Sequence, residues 1–257
     1  MHQTAEENSN NQRILVEVCV GSLADAIAAE AAGASRIELC SAVEVGGLTP
    51  SLGLVEQVLS AVEIPVVAMV RPRPGGFCYD KTELQTMRCD AKLLLDCGVT
   101  GIVFGFLQSN GQVDAVKTAE FVELTGERDA VFHRAFEFVP DPLVACEQLI
   151  TLGTTRILTS GQALQAIDGA QLLRKLVATS EGKMQILPGG GIQSEHAAEL
   201  IDQTGCQQLH IGASTALCDD SLNLRQEIDF CSYDYLRQGN HRAVDPERVA
   251  AVVSALT

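Results

Sequence analysis

The feature that most constrains this chain is a repeated alternation of short apolar runs with helical patterns. Eight runs stand out, at 14–20, 36–40, 65–71, 101–107, 130–137, 156–160, 184–188 and 208–213. They are rich in β-branched residues and bounded by Gly, Pro or polar clusters, as strands are. Each gap has room for one helix, and that is the βαβ rhythm of a parallel sheet. The helix signals agree with it. Ser22 is placed to cap a first helix that Gly33 stops, and Thr49-Pro50-Ser51 opens a second. Asp141-Pro142 opens a fifth that Gly153 ends, and Asp245-Pro246 opens the last.

Eight β/α units can close into a barrel or form an open doubly wound sheet. No Gly-x-Gly-x-x-Gly follows the first run, where an open dinucleotide fold places it. Polar residues recur instead at the ends of most runs. The expectation is therefore one (β/α)₈ TIM-barrel domain over 13–257, preceded by a flexible tail over 1–12, with its site at the C-terminal ends of the strands. A length of 257 residues suits this, and 46% hydrophobic residues with 4% aromatic and no Trp imply an aliphatic core.

Charge and composition exclude several functions. With 33 acidic against 18 basic residues the formal charge is −15, which repels nucleic acid and anionic membranes. There is no apolar run long enough to span a bilayer, and Met1 to Gln12 are polar, unlike a signal peptide. Nine scattered cysteines then read as free thiols in a cytoplasmic protein.

Strand alternation puts Glu17 and Cys19 on one face of the first strand, and Glu38 and Cys40 on one face of the second. Two carboxylates and two thiols should thus share one half of the lumen. Charges there must be paired or functional. Arg71, His133, Arg134 and His210 are the available partners, although alternation forbids both His133 and Arg134 from pointing inward along one strand. Cys19 and Cys40, joined by His210, would suit a soft ion such as Cu(I) or Zn²⁺.

The other half of the rim suggests anions. Pro188-Gly189-Gly190-Gly191-Ile192 follows the seventh run, with Ser194 placed to cap the next helix, and Ser214 follows the eighth. Barrel loops at these two places often bind phosphate through backbone N–H groups. Ser160 adds a hydroxyl, and Arg71 and Arg134 could clamp a phosphate or carboxylate. An enzyme acting on a small phosphorylated or carboxylated metabolite could then use Glu17, Glu38 and His133 as general acid and base. No run ends near a Lys, so Schiff-base chemistry is out, and no organic cofactor is expected.

Several stretches occur together and in order: Val16-Glu17-Val18-Cys19, Gly33-Ala34-Ser35-Arg36-Ile37-Glu38-Leu39-Cys40, Gly46-Gly47-Leu48-Thr49-Pro50-Ser51, Met69-Val70-Arg71-Pro72-Arg73, Phe132-His133-Arg134-Ala135-Phe136 and Pro188-Gly189-Gly190-Gly191-Ile192. In these the chain closely resembles the copper homeostasis protein CutC family from residue 14 to about 214. The resemblance implies a TIM-type barrel, a cytoplasmic location, a homo-oligomer (usually a dimer) and handling of intracellular copper. It also implies Cys19 and Cys40 as Cu(I) ligands. Glu137 departs from the family's usual Asp, and 215–244 follows no familiar pattern.

Overall fold

The computed structural model describes residues 13–222 and 240–257. The expected tail over 1–12 lies outside them. Eight parallel strands form one sheet: β1 (Leu15–Val20), β2 (Arg36–Leu39), β3 (Val66–Met69), β4 (Gly101–Phe104), β5 (Asp129–Phe132), β6 (Arg156–Thr159), β7 (Gln185–Pro188) and β8 (Gln208–Ile211). Their order is β7-β6-β5-β4-β3-β2-β1-β8, and a parallel bridge between Gly189 and His210 joins the two ends. This is the expected TIM barrel.

The strands are followed in turn by α1 (Leu23–Ala31), α2 (Leu52–Ala61), α3 (Lys81–Cys97), α4 (Ala115–Thr125), α5 (Pro142–Leu152), α6 (Ala170–Ser180), α7 (Ser194–Thr204) and α8 (Pro246–Ser254). Local chemistry sets their ends. Ser22, Ser51, Asp141 and Asp245 accept first-turn amides of α1, α2, α5 and α8, and Gly98 and Gly153 close α3 and α5 at positive φ. At α7 the expectation shifts by one residue: Gln193 holds the cap position, its amide bonded to His196 Nε2, and Ser194 is the first helical residue. Between β8 and α8 an antiparallel ribbon, β9 (Ser214–Cys218) with β10 (Asn240–Val244), lies over the rim, and the Val244 amide reaches Asp25 Oδ1 at 2.6 Å.

The strands are shorter than the apolar runs. The run at 130–137 is the clearest case. β5 stops at Phe132, where the His133 ring accepts the Ala135 amide and turns the chain into a 3₁₀ segment, Arg134–Phe138. Strict alternation therefore ceases at His133, and both His133 and Arg134 reach the rim.

Alternation divides the strand residues into two cores. Val16, Val18, Ile37, Leu39, Ile102, Phe104, Ile157 and Leu209 pack outward under the helices. Inside, Cys40, Val67, Met69, Val103 and Val131 form a smaller apolar layer. Below that layer the lumen is polar. Arg36 bonds Glu17 Oε2 and Gln208, Arg156 bonds Gln185 and Asp129, and Gln208 bonds Gln185. The apolar layer and the polar floor fill the lower lumen, and the cavity that His210, Glu38 and Cys19 line lies at its C-terminal end.

Candidate functional site at the barrel mouth

A cavity of ≈ 680 Å³ opens at the C-terminal ends of the strands. Its two sides have different chemistry. Cys19, Glu38 and His210 lie on one, and Arg71, His133, Arg134, Gly190 and Gly191 complete the lining.

The thiol side is built on neighbouring strands. β1 and β2 pair with Cys19 opposite Glu38, which puts Cys40 one rung further along. Cys19 Sγ lies 3.9 Å from Cys40 Sγ, and Cys40 Sγ lies 3.6 Å from Glu38 Oε2. Cys40 is 1% exposed, because Gly47 lies directly over it: a Cβ on Gly47 would fall 2.9 Å from the sulfur. Cys19 is more open and meets the cavity.

His210 sits between the two acids. It shares a 2.7 Å hydrogen bond with Glu17 Oε1 through Nδ1, and its Nε2 is 3.8 Å from Glu38 Oε2. Of the trio Cys19, Cys40 and His210 expected as a metal site, the two thiols lie together and His210 interacts with Cys19. Two overlapping clusters share Glu38: Cys19–Glu38–Cys40 and Glu17–Glu38–His210.

Electrostatics in this half follow from burial and pairing. Burial alone would raise Glu17, but Arg36 and then His210 bring it down to about 2. Burial pushes Glu38 up to about 8, and Cys19 and Glu17 add to that. The hydrogen bond from Cys40 holds Cys19 down at about 5, with His210 assisting, while that same pairing and burial push Cys40 well up. Burial opposes charge on His210, yet Glu38, Cys19 and Glu17 hold it well above its ordinary value. These shifts favour negative charge on Cys19, a retained proton on Cys40 and positive charge on His210.

Glu17, expected as a general acid or base, is engaged by other residues of the barrel. It is 1% exposed, lies below the cavity lining, and has both oxygens taken by Arg36 and His210. Ser160, expected to offer a hydroxyl to an anion, is fully buried and its hydroxyl contacts Glu137 and the Ala163 carbonyl. Glu137 is the side chain that sequence reasoning missed. It accepts the Ser160 and Gln162 amides at 2.6 and 2.9 Å, the Thr159 hydroxyl at 3.0 Å and Arg134 Nε at 3.1 Å. An internal carboxylate thereby fills the loop after β6.

Arg71 is largely committed to its own loop and to the one after β2, donating to the carbonyls of Val45, Gly47 and Gly75 while stacking over Phe77. Arg134 bonds Ser160 and Glu137 but stays half exposed. Gly189 is tightly enclosed, whereas Gly190 and Gly191 turn at positive φ on the cavity lip. Ser214 also lines the mouth, and its Oγ accepts from Arg242 Nη1 at 3.2 Å. The polar floor of Arg36, Arg156 and Gln208 was readable in principle, since the alternation that turns Glu38 inward does the same for Arg36.

A family model described as the CutC family matches residues 14–215. A CutC family protein of Treponema denticola is 50% identical over 202 residues, covering 79% of this chain and 82% of that one. A mouse copper homeostasis protein cutC homolog is 40% identical over 202 residues, covering 79% and 74%. Among solved structures, a CutC protein of Streptococcus agalactiae superposes with a TM-score of 0.73 at 34% identity, covering 77% of this chain and 98% of that one.

Proposed function

This chain belongs to the CutC family of copper homeostasis proteins, and from that premise we propose that it holds a copper(I) ion between Cys19 and Cys40. The observation that carries this reading is the 3.9 Å gap between the two sulfurs. A soft ion bonded at about 2.3 Å to each thiolate spans such a gap. Thiolates are the donors that prefer Cu(I) over the hard ions that carboxylates take.

The surroundings suit a cargo that enters and leaves. Cys19 meets the cavity and is already held as thiolate, while Cys40 is the inner ligand, roofed by the loop carrying Gly47. Glu38 is the third group within reach of both sulfurs. His210, protonated and bound to Glu17, acts as the counter-charge to the thiolate and not as a ligand. The described cysteines are free thiols, in keeping with work in the reducing cytoplasm, and the expected assembly is a homodimer.

The test is a Cu(I) competition titration under anaerobic, reducing conditions. One high-affinity equivalent per chain is expected, lost in Cys19→Ser/Cys40→Ser and retained in Cys146→Ser, whose thiol is buried under the helices. Retention of that equivalent in the double variant overturns the reading. Light scattering of the same samples checks the dimer.

A further inference from the structure

We propose that the cavity wall formed by His133, Arg134, Gly190 and Gly191 binds the phosphoryl group of a small metabolite, at a site separate from the thiol pair. Copper at Cys19 and Cys40 makes no use of this wall.

The first support is two buried donors with no acceptor. His133 Nδ1 accepts the Ala135 amide at 3.1 Å, so the neutral ring carries its proton on Nε2. The ring is held neutral: burial and then the nearby Arg71 bring His133 down to about 3. That Nε2–H has no partner, although the residue is only 4% exposed and lines the cavity. Arg71 Nε is likewise buried and unpartnered, on a residue that also lines the cavity. Orphaned buried donors are rare because each forfeits a hydrogen bond, and two on one cavity call for an acceptor supplied from outside.

The second support is the turn after β7. Among the described residues the amide of Gly191 meets no acceptor, whereas that of Gly190 is turned toward β8 by the Gly189–His210 bridge; both glycines line the same cavity. A Cβ on Gly190 would lie 3.6 Å from Arg134 Nη2, so the half-exposed guanidinium borders the turn. The turn sits where barrels commonly hold phosphate. Every group named is a donor, and the set comes from three separate segments. A phosphoryl group, with three terminal oxygens, can satisfy donors arriving from several directions, whereas a planar carboxylate has only two oxygens to offer.

The acids that line the cavity do not cancel the wall. Glu137 is saturated by Arg134 and the loop after β6, Asp25 is bound to the Val244 amide, and Glu38 lies on the thiol side. Committed carboxylates of this kind favour an anionic ligand at Arg134 and His133 over a cationic one.

The test uses the full, reduced, copper-free protein and inorganic phosphate as probe, with acetate and chloride as parallel arms. Nitrogen NMR of the histidines should show phosphate moving the His133 Nε2 resonance in the unaltered protein. Titration should give saturable phosphate binding that weakens at least about tenfold in His133→Phe and in Arg134→Met, the loss of one charge-assisted or buried hydrogen bond each. The Cu(I) equivalent should persist in both variants. An unmoved His133 resonance overturns the proposal, as does phosphate binding that survives both substitutions. Equal binding of acetate would overturn the choice of a phosphoryl ligand.

Discussion

His210 on β8 and Glu17 on β1 share a 2.7 Å hydrogen bond that ties the thiol side of the cavity to the polar floor of the barrel. Glu17 is held from below by Arg36 at the same time. Floor and site therefore form one electrostatic unit. Substitutions in the floor should be felt first as lost stability, because an unpaired charge there has no water to turn to.

Arg36→Met removes the principal partner of a carboxylate that is 1% exposed. The loss expected in urea unfolding is about 3–5 kcal/mol, with much of it recovered when Glu17→Leu is added. A single variant that loses less than about 1 kcal/mol would show that the pair is not the keystone of the floor.

Gly47→Ala should damage the thiol pair from above. The new methyl would lie 2.9 Å from Cys40 Sγ at a residue whose φ is +82. Strain and contact together should lower stability by about 1–3 kcal/mol and weaken Cu(I) binding. Gly53→Ala on α2, with no atom within 4 Å of the added carbon, is the matched control: as a helical Gly→Ala change it should raise stability by about 0.5–1 kcal/mol and leave Cu(I) binding unchanged. Unaltered copper affinity in Gly47→Ala would disconnect this loop from the site.

His133 should set part of the acid response of the fold. Its ordinary value is 6.5 and burial lowers it to about 3 in the folded chain. Between those limits the unfolded chain takes up a proton that the folded chain refuses. Stability therefore falls as pH drops from 6.5 toward 3, by up to about 1.4 kcal/mol per pH unit. His133→Asn, whose Oδ1 can still accept the Ala135 amide, should flatten that slope in denaturant titrations. Parallel curves for parent and variant would refute the assignment.

Glu137→Ala should loosen the loop after β6, which this one carboxylate holds through two amides and two hydroxyls. About 2–4 kcal/mol of stability should go, with faster amide exchange at Ser160 and Gln162 as the local signature. Slow exchange that persists at both amides would mean the loop is held by other bonds.

What could be read from the sequence followed the physics of repetition. Period-two alternation turned Cys19, Glu38, Cys40 and His210 inward, because each lies within or directly after a regular strand. Caps such as Ser22 and Asp141 were legible because the rule is local. Interactions that join distant segments were not. Glu17 was expected to need a partner, and His210 was among those named, but Arg36 was not; Ser160 looked like a ligand hydroxyl, with nothing in the sequence to show Glu137 reaching it from 23 residues away. The β5 run misled for a different reason: a side chain, His133, ended the strand by capping the turn that follows.

The thiol gap is, lastly, a joint inheritance. Cys19 lies in β1 opposite Glu38, and Cys40 is the residue directly after β2, so the two stand on a diagonal of the barrel and their sulfurs meet by leaning toward each other. One ligand is thus anchored in the sheet and the other at the root of a loop that closes on itself through Ser41 and Leu48 and passes Gly47 over the sulfur. The interval belongs to strand and loop together, and it leaves no short spacing signature for a motif search to find.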